Sequence, residues 1–541
     1  MVEVEPEFYL PDDCWEHVLK FLNDDDKENS RYLKSVSVVS KRFLSITNRL
    51  RSSLTICKQL SPFLTAIFHR FPNLTSIKFL GLCGNHRNAI LSQISCFPFN
   101  ITSLKLISQV FIPVNGLRAF SQTITSLTSF ESSFMDSISV TDLCLITDCF
   151  PLLEELNLNS SAIFYGNMVN GIETLSLALS KLRKINLSNH TYMNDQSVFH
   201  LFNNCKLLEE VIIFGCYGIT NAGIASALRV RPTLRSLSLT NYVDNWTTLL
   251  AIVRSCPSIS DIKMEYPKFR KKTVDNSYSL KNFVVSPQLK SLCLASNTWL
   301  NDESILMFAS SFPNLQLLDL SYCNQISESI CQVLMTSSKI RHLNLQYCSK
   351  VKLCGLNFEL PKLEVLNLSH TKVDNESIIT FASSFPNLQI LDLSNCNQIC
   401  EGICQLLRYC SKIRHLNLHS CFKVKLHGLN FEVPKLEVLN LSNTRIDNEE
   451  LSVISKCFRG LLELSLANCS FVTKRGVNRV VENCTQLKEI NLQNCYKVHK
   501  NIVASMISSR PSLKKIVVPP CYRFNNGNKW EYFIGDICLL R

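Results

Sequence analysis

FPNLQLLDLSYCNQI (Phe312–Ile326) returns as FPNLQILDLSNCNQI (Phe385–Ile399), and the reading of this stretch decides the fold. Its apolar residues Leu315, Leu318 and Leu320 follow the spacing L-x-x-L-x-L. Leu318 and Leu320 flank Asp319, which is the alternation of a short strand with one buried face. The same phrase recurs as Leu153, Leu156, Leu158, as Leu182, Ile185, Leu187, as Leu234, Leu237, Leu239 and as Leu487, Ile490, Leu492. Taking the first position of each copy places units at 74, 101, 127, 153, 182, 208, 234, 259, 289, 315, 340, 363, 388, 413, 436, 461, 487 and 513. A period of that size is the mark of a stacked array, in which one unit cannot bury its apolar face alone.

Between strands, Asp302 and Glu303 open a segment with Ile305, Phe308 and Phe312 near helical spacing, and Val477, Val480, Val481 and Cys484 repeat the pattern. Each unit is therefore expected to return by a convex helix. Cysteine follows the last leucine by three positions at Cys323, Cys348, Cys396, Cys421, Cys469, Cys495 and Cys521. This register resembles the cysteine-containing class of leucine-rich repeats. The resemblance covers about residues 72–521 and implies an α/β solenoid, a horseshoe of about 18 repeats with a parallel concave sheet and convex helices. Residues 522–541 are then a C-terminal cap.

A longer period lies above the first. KIRHLNL returns from Lys339 to Lys412, and LNFELPKLEVLNLSHT (356–371) becomes LNFEVPKLEVLNLSNT (429–444), always 73 positions on. A block of three units thus occurs twice. The copies differ just past their strands, at Tyr322 against Asn395, Gln346 and Tyr347 against His419 and Ser420, and Ser349 against Phe422. Tyr322, Gln346, Tyr347, Asn395, His419 and Phe422 are accordingly the candidates for binding a protein substrate, since loops carry function. Convex positions differ too, for example Met335 against Arg408.

The first fifty residues do not repeat. LPDDCWEHVLKFL (10–22) starts a helix at Pro11 with Asp12 and Asp13 favoured by the dipole. Trp15, Val18, Leu19 and Leu22 make one apolar stripe. NDDDKEN (23–29) reads as a solvated connector, Leu33 and Val36 line a second helix, and Ser40 caps a third with Phe43, Ile46 and Leu50 on one face. Three such helices make a poor core alone. The stretch resembles the F-box, the module that docks on the SKP adaptor of cullin–RING ubiquitin ligases. The resemblance implies adaptor contacts from Leu10, Pro11, Val18, Leu19, Leu22, Val39, Ser40, Lys41 and Phe43. Phe43 stands where that family often has Trp, and the connector is longer than usual. The domain plan is a tail at 1–7, an F-box at 8–50, a transition at 51–71, then the repeats.

The 541 residues carry 46% apolar and 18% charged side chains and a formal charge of +12. No apolar run reaches the roughly 18–20 residues that span a bilayer, and MVEVEPEFYLPDD lacks the basic start of a signal peptide. The expected location is cytoplasm and/or nucleus, with no membrane partner. The 25 cysteines are an odd number without a CxxC pair, so neither a disulfide framework nor a metal site is expected. No nucleophile elbow, phosphate loop or zincin motif occurs. No catalytic residue and no cofactor is assigned.

The sequence thus points to a non-catalytic substrate adaptor of an SKP–cullin–F-box ligase, reaching cullin and RING subunits through the SKP-type adaptor and binding an unknown protein substrate. A hormone receptor of the auxin or jasmonate type would need Lys and Arg converging on an inositol phosphate. The basic concave positions Lys78, Lys105, Lys184, Lys263, His342 and His415 are spread out instead. A repeat scaffold unconnected with ligases is the third reading. The basic run Arg270, Lys271, Lys272 falls in the longest gap and reads as a solvated loop, so no nucleic-acid partner is assigned. Asn157, Asn186, Asp319, Asn344, Asn367, Asp392, Asn417, Asn440 and Asn491 lie between strand leucines. They are either hydrogen-bonding positions for a partner or solvated filler.

Overall fold

The computed structural model describes residues 10–24, 31–82, 86–107, 111–134, 138–160, 169–240, 245–265, 285–297, 300–353, 355–499, 501–510, 512–517, 531–534 and 537–540. The chain forms two compact units, Met1–Thr240 with Arg254–Ser258 and Asn241–Val253 with Ile259–Arg541.

In the first unit three helices precede the sheet: α1 (Asp12–Asp24), α2 (Arg31–Ser37) and α3 (Lys41–Leu50). Leu19, Leu33 and Ile46 form their core, with Trp15, Val36, Phe43 and Leu50 packed around it. Trp15 and Phe43 meet edge to face at 5.0 Å. Ser40 caps α3 by accepting the Phe43 amide at 3.1 Å, as its sequence position requires. Eight parallel strands then pair in chain order from Ser53–Ile56 to Ser236–Thr240. The first of these falls in the stretch 51–71 read as a transition. Leu54 and Ile56 are buried there, and that stretch is itself a rung.

The second unit pairs eleven parallel strands in chain order, from Asp261–Glu265 to Lys515–Val517. Ile537–Leu540 closes that edge antiparallel to Lys515–Val517 and pairs with Glu531–Ile534. In both units a strand begins two residues after every unit start read from the sequence, including the irregular one at Leu127, which leads into Ser129–Ser133. The central strand residue is buried and its neighbours stand on the open face, as in the pattern of His342, Leu343 and Asn344.

Most strands are separated by a helix, and neighbouring helices are tied at their N-termini. The first residue of one helix accepts the amide just ahead of the next: Asp195 from Thr220 at 2.6 Å, Asp302 from Ser327 at 2.7 Å, Asn375 from Cys400 at 2.7 Å, Asn448 from Thr473 at 3.1 Å. At Gly476 a Cβ would lie 2.5 Å from Asn448 Oδ1, so this close approach requires glycine. The expectation of a helix in every unit is corrected in two places. Between His342–Asn344 and Val365–Asn367, and between His415–Asn417 and Val438–Asn440, no helix forms among the described residues. Each of those connections holds a glycine and a proline (Gly355 and Pro361, Gly428 and Pro434), which disfavour a helical turn.

Candidate functional site

Two surfaces carry the candidate residues, the N-terminal helices and the edge where strands leave the sheet. On the helices, the expected stripe divides. Leu19 points inward and is 3% exposed, and Trp15 is half-buried, whereas Val18 is 45% exposed. Phe21, not singled out by the sequence pattern, is 74% exposed, and Val38 and Val39 in the α2–α3 turn are 82% and 68% exposed. Pro11, Ser40 and Lys41 are exposed, while Leu10 and Phe43 are half-buried. The side chain of Leu22 lies outside the described residues. Charge fixes α1 to α3: Arg42 contacts Asp12 at 2.7 Å, and Arg49 reaches Asp12 at 3.2 Å and Glu16 at 2.8 Å. Hydrogen bonds from Arg42 and Arg49 hold the Asp12 carboxyl below its ordinary pKa. The end of α3 is fastened to the chain beyond it, since Arg70 donates to Asn48 at 3.1 Å and Asn73 to the Arg49 carbonyl at 3.0 Å.

On the open face, the Asn and Asp stripe has a role that neither sequence-based alternative included. Each side-chain oxygen accepts the backbone N–H two residues on: Asn186 from Ser188 (3.0 Å), Asp319 from Ser321 (2.9 Å), Asn344 from Gln346 (3.1 Å), Asn367 from Ser369 (2.9 Å), Asp392 from Ser394 (2.8 Å) and Asn440 from Ser442 (3.0 Å). Asn157, Asn417 and Asn491 do the same. The short side chain takes over the acceptor role at the point where the backbone turns out of the sheet. The basic positions there are partly engaged, with Lys105 on Glu131 at 3.2 Å and Lys184 on Glu155 at 3.1 Å. Lys78 sits opposite Lys105 in register. His342 and His415 are exposed, and Lys263 is half-buried.

Seven positions after most unit starts the chain becomes left-handed. Gly81, Phe134, Asn189 and Gly215 have positive φ in the first unit. In the second the series runs unbroken through Ser296, Tyr322, Tyr347, His370, Asn395, Ser420, Asn443, Asn468 and Asn494. Their backbone amides donate to the next rung, for example Tyr322 to Gln346 at 2.7 Å, Tyr347 to Ser369 at 2.9 Å and Asn395 to His419 at 2.7 Å. Glycine and asparagine suit such a position, and bulky residues do not. Yet Tyr322 and Tyr347 stack at 4.5 Å with planes 13° apart, and Tyr347 and His370 at 3.9 Å with planes 12° apart. Of the sequence candidates, Tyr322 and Tyr347 are thus brought together. Gln346, Asn395 and His419 are half-buried along the same edge, and Phe422 is exposed. His370 was missed, although its difference from Asn443 is visible in the two copies of the LNFE block.

The cysteines close the turn from beneath. Cys323, Cys348, Cys396, Cys421, Cys469 and Cys495 donate to the carbonyls of Leu294, Leu320, Leu368, Leu393, Leu441 and Leu466 in the preceding rung at 3.0 to 3.3 Å. Burial pushes the Cys348, Cys421 and Cys495 thiols up to about 12. They are packing donors, unsuited to nucleophilic or metal chemistry at neutral pH. Cys521 and the run Arg270, Lys271, Lys272 lie outside the described residues. Among the described residues no group of three or more His, Cys, Asp or Glu is placed to hold a metal, and no helix is long and apolar enough to cross a membrane.

The fold is an α/β leucine-rich-repeat solenoid. The family model for leucine-rich repeats (2 copies) matches residues 361–406. Among solved structures, the chain is similar to one titled the Rad7 and Elc1 complex in yeast, with TM-score 0.42 and 16% identity over 85% of this chain and 94% of that one. It is similar also to one titled the TLR13–ssRNA13 complex (TM-score 0.46, 15% identity, 86% and 71% covered) and to the mouse RP105/MD-1 complex (0.43, 16%, 82% and 85%).

Proposed function

We propose that this chain is the substrate-recognition subunit of an SKP–cullin–F-box ubiquitin ligase, with the three N-terminal helices docking an SKP-type adaptor and the repeats holding a protein target. The observation that carries the reading is the exposure of Val18, Phe21, Val38 and Val39 on a helical trio whose buried core, among the described residues, is Leu19, Leu33 and Ile46. Apolar side chains left uncovered on so small a body favour a partner, at about 1.5–3 kcal/mol for each fully buried one. The attachment of α3 through Asn48 and Arg49 suits a task of positioning, because a bound target then sits at high effective concentration near the transfer site. The chemistry of ubiquitin transfer would belong to the other subunits, and no residue here is given a catalytic role.

Calorimetric titration of the full chain with a purified SKP-type adaptor tests the reading. Wild type should bind at sub-micromolar Kd, and Val18→Glu with Val39→Glu should weaken binding at least 100-fold without lowering Tm, because both side chains are exposed. Leu10→Ala with Pro11→Ala should also abolish co-purification. A wild-type chain that ignores the adaptor would remove the ligase assignment.

A further inference from the structure

The three stacked rings stand where the duplicated block carries none. Tyr322, Tyr347 and His370 correspond, 73 positions on, to Asn395, Ser420 and Asn443. All six share one backbone conformation, with φ between 57° and 64°. The second block therefore shows that this turn is built with small polar residues, the types that tolerate it best. Two tyrosines in succession at left-handed positions are a departure from what the backbone requires, and such departures cluster where they serve a function. The underlying ladder of about 4.8 Å per rung brings the rings face to face. Stacking at 3.9 and 4.5 Å covers the ring faces between neighbours, and all three side chains remain half-buried.

Ring edges carry the positive end of the aromatic quadrupole, and tyrosine hydroxyls and imidazole N–H are donors. The same turn segments, 321–327, 346–352 and 369–375, contain Lys350, Lys352 and Lys372 and a single acid, Asp374, whose Oδ1 accepts from the Ser377 amide and hydroxyl at 2.9 and 2.7 Å. Lys350 rests on the neutral amide of Gln325 at 2.8 Å, so its charge is not cancelled. Lys352 has Glu328 at 3.2 Å, but both side chains are about two-thirds exposed. The carboxylates nearest in register, Asp319 and Asp392, each have one oxygen committed to backbone amides at 2.9 and 2.8 Å.

We propose that the ladder Tyr322–Tyr347–His370, with Lys350, Lys352 and Lys372, is a docking surface for an acidic, extended segment of a protein partner. The occupant lays carboxylates against lysines and ring edges. Three rungs span roughly 10 Å, the reach of three or four extended residues. This deepens the target-binding half of the reading above and rests on it only in that the repeats bind a protein.

The test uses the full chain and a fluorescein-labelled octaglutamate, with octalysine and oligouridylate of the same length as comparisons, read by anisotropy. Wild type should bind octaglutamate more tightly than either comparison. Tyr322→Asn with Tyr347→Ser and His370→Asn should weaken that binding about tenfold with Tm unchanged or raised, because the second block already uses those residues. Lys372→Glu should weaken it comparably. The reverse changes, Asn395→Tyr, Ser420→Tyr and Asn443→His, should add a second site. Equal binding by the triple variant, preference for oligouridylate, or a Tm lowered by several degrees with the rings removed each overturns the proposal. Adaptor binding by the same preparations separates the two readings. Its absence with ring-dependent octaglutamate binding intact leaves this surface standing, and the converse leaves only the ligase docking.

Discussion

In residues 312–384 the thiol of Cys348 donates to the Leu320 carbonyl at 3.0 Å, and in residues 385–457 Cys421 donates to Leu393 at 3.1 Å. Thr371 and Thr444, which stand in for cysteine in the third rung of each block, bond Leu368 and Leu441 at 2.6 Å. Arg341 pairs with Glu364 at 3.1 Å, as Arg414 does with Glu437 at 2.7 Å. Beneath the surface the blocks are one structure. At the exit edge they part, with three stacked rings in the first and Asn, Ser and Asn in the second. Two sequences can thus satisfy one backbone, so what differs between them is free to serve something other than folding. That is a stronger ground for assigning function than exposure alone, because the second block is an internal control for the first.

If the scaffold is shared, a buried charge should cost the same in either block. Leu345 and Leu418 are both fully buried. Leu345→Asp and Leu418→Asp are each expected to lose about 3–5 kcal/mol, seen as a large drop in denaturation midpoint with loss of helical signal from the neighbouring rungs. Thiol labelling on the same samples locates the damage. Cys14 and Cys96 are exposed and should react in the native chain. Cys348 and Cys421, buried and with thiols pushed up to about 12, should react only in the variants. Costs differing by more than about 1 kcal/mol between the blocks would mean that they are not one structure beneath.

The comparison sharpens at the amide stripe. Asn344 and Asn417 are counterparts, and both accept the amide two residues on at 3.1 Å. Asn417 also donates to Asp392 at 2.9 Å. Asn344→Ala should cost about 1 kcal/mol and Asn417→Ala about 1 kcal/mol more, since a bond to a charged acceptor is lost as well. Equal losses in urea titration would show that the Asp392 contact adds nothing.

These contrasts also mark where the sequence could be read. Strand positions were legible because Leu318, Leu320 and their equivalents bury at period two and repeat in one register. The units at 340 and 413 misled, because the helical spacing of Ile305, Phe308 and Phe312 was extended to every unit, whereas Leu356 and Leu360 pack inward from an irregular chain. The Asx bonds of Asp319 and Asn344 were missed because an Asn between two leucines looks the same whether its oxygen meets water, a partner or its own backbone. Val18 and Leu19 could not be sorted, since both lie within the same stripe and only the packing of α3 decides which turns inward. His370 went unmarked because histidine is unremarkable until Tyr347 is found 3.9 Å from its ring.

The smallest expected difference between the blocks is one of sign. Asp374 opens the helix Asn375–Ala382, and hydrogen bonds from the Ser377 hydroxyl and amide hold its carboxyl below the ordinary value. In the second block the matching pair is Asp447 and Glu450. There burial raises the Glu450 carboxyl, which accepts the Asp447 amide at 3.0 Å and faces His427 at 3.4 Å. A depressed carboxyl contributes stability above its unfolded pKa, near 4, and loses it as pH falls through the folded value. A raised one contributes below its unfolded pKa and loses that as pH rises through the folded value. Amide substitution fixes each group in its uncharged form while keeping an acceptor oxygen. Asp374→Asn should therefore destabilise at pH 7, and Glu450→Gln should stabilise. Both effects should fade as pH falls, that of Glu450→Gln between its raised folded value and about pH 4, and that of Asp374→Asn from about pH 4 down to its depressed folded value. Paired urea titrations at pH 3, 5 and 7 make the comparison, and shifts of the same sign at pH 7 would show that Ser377 and Glu450 do not set these two helix starts apart.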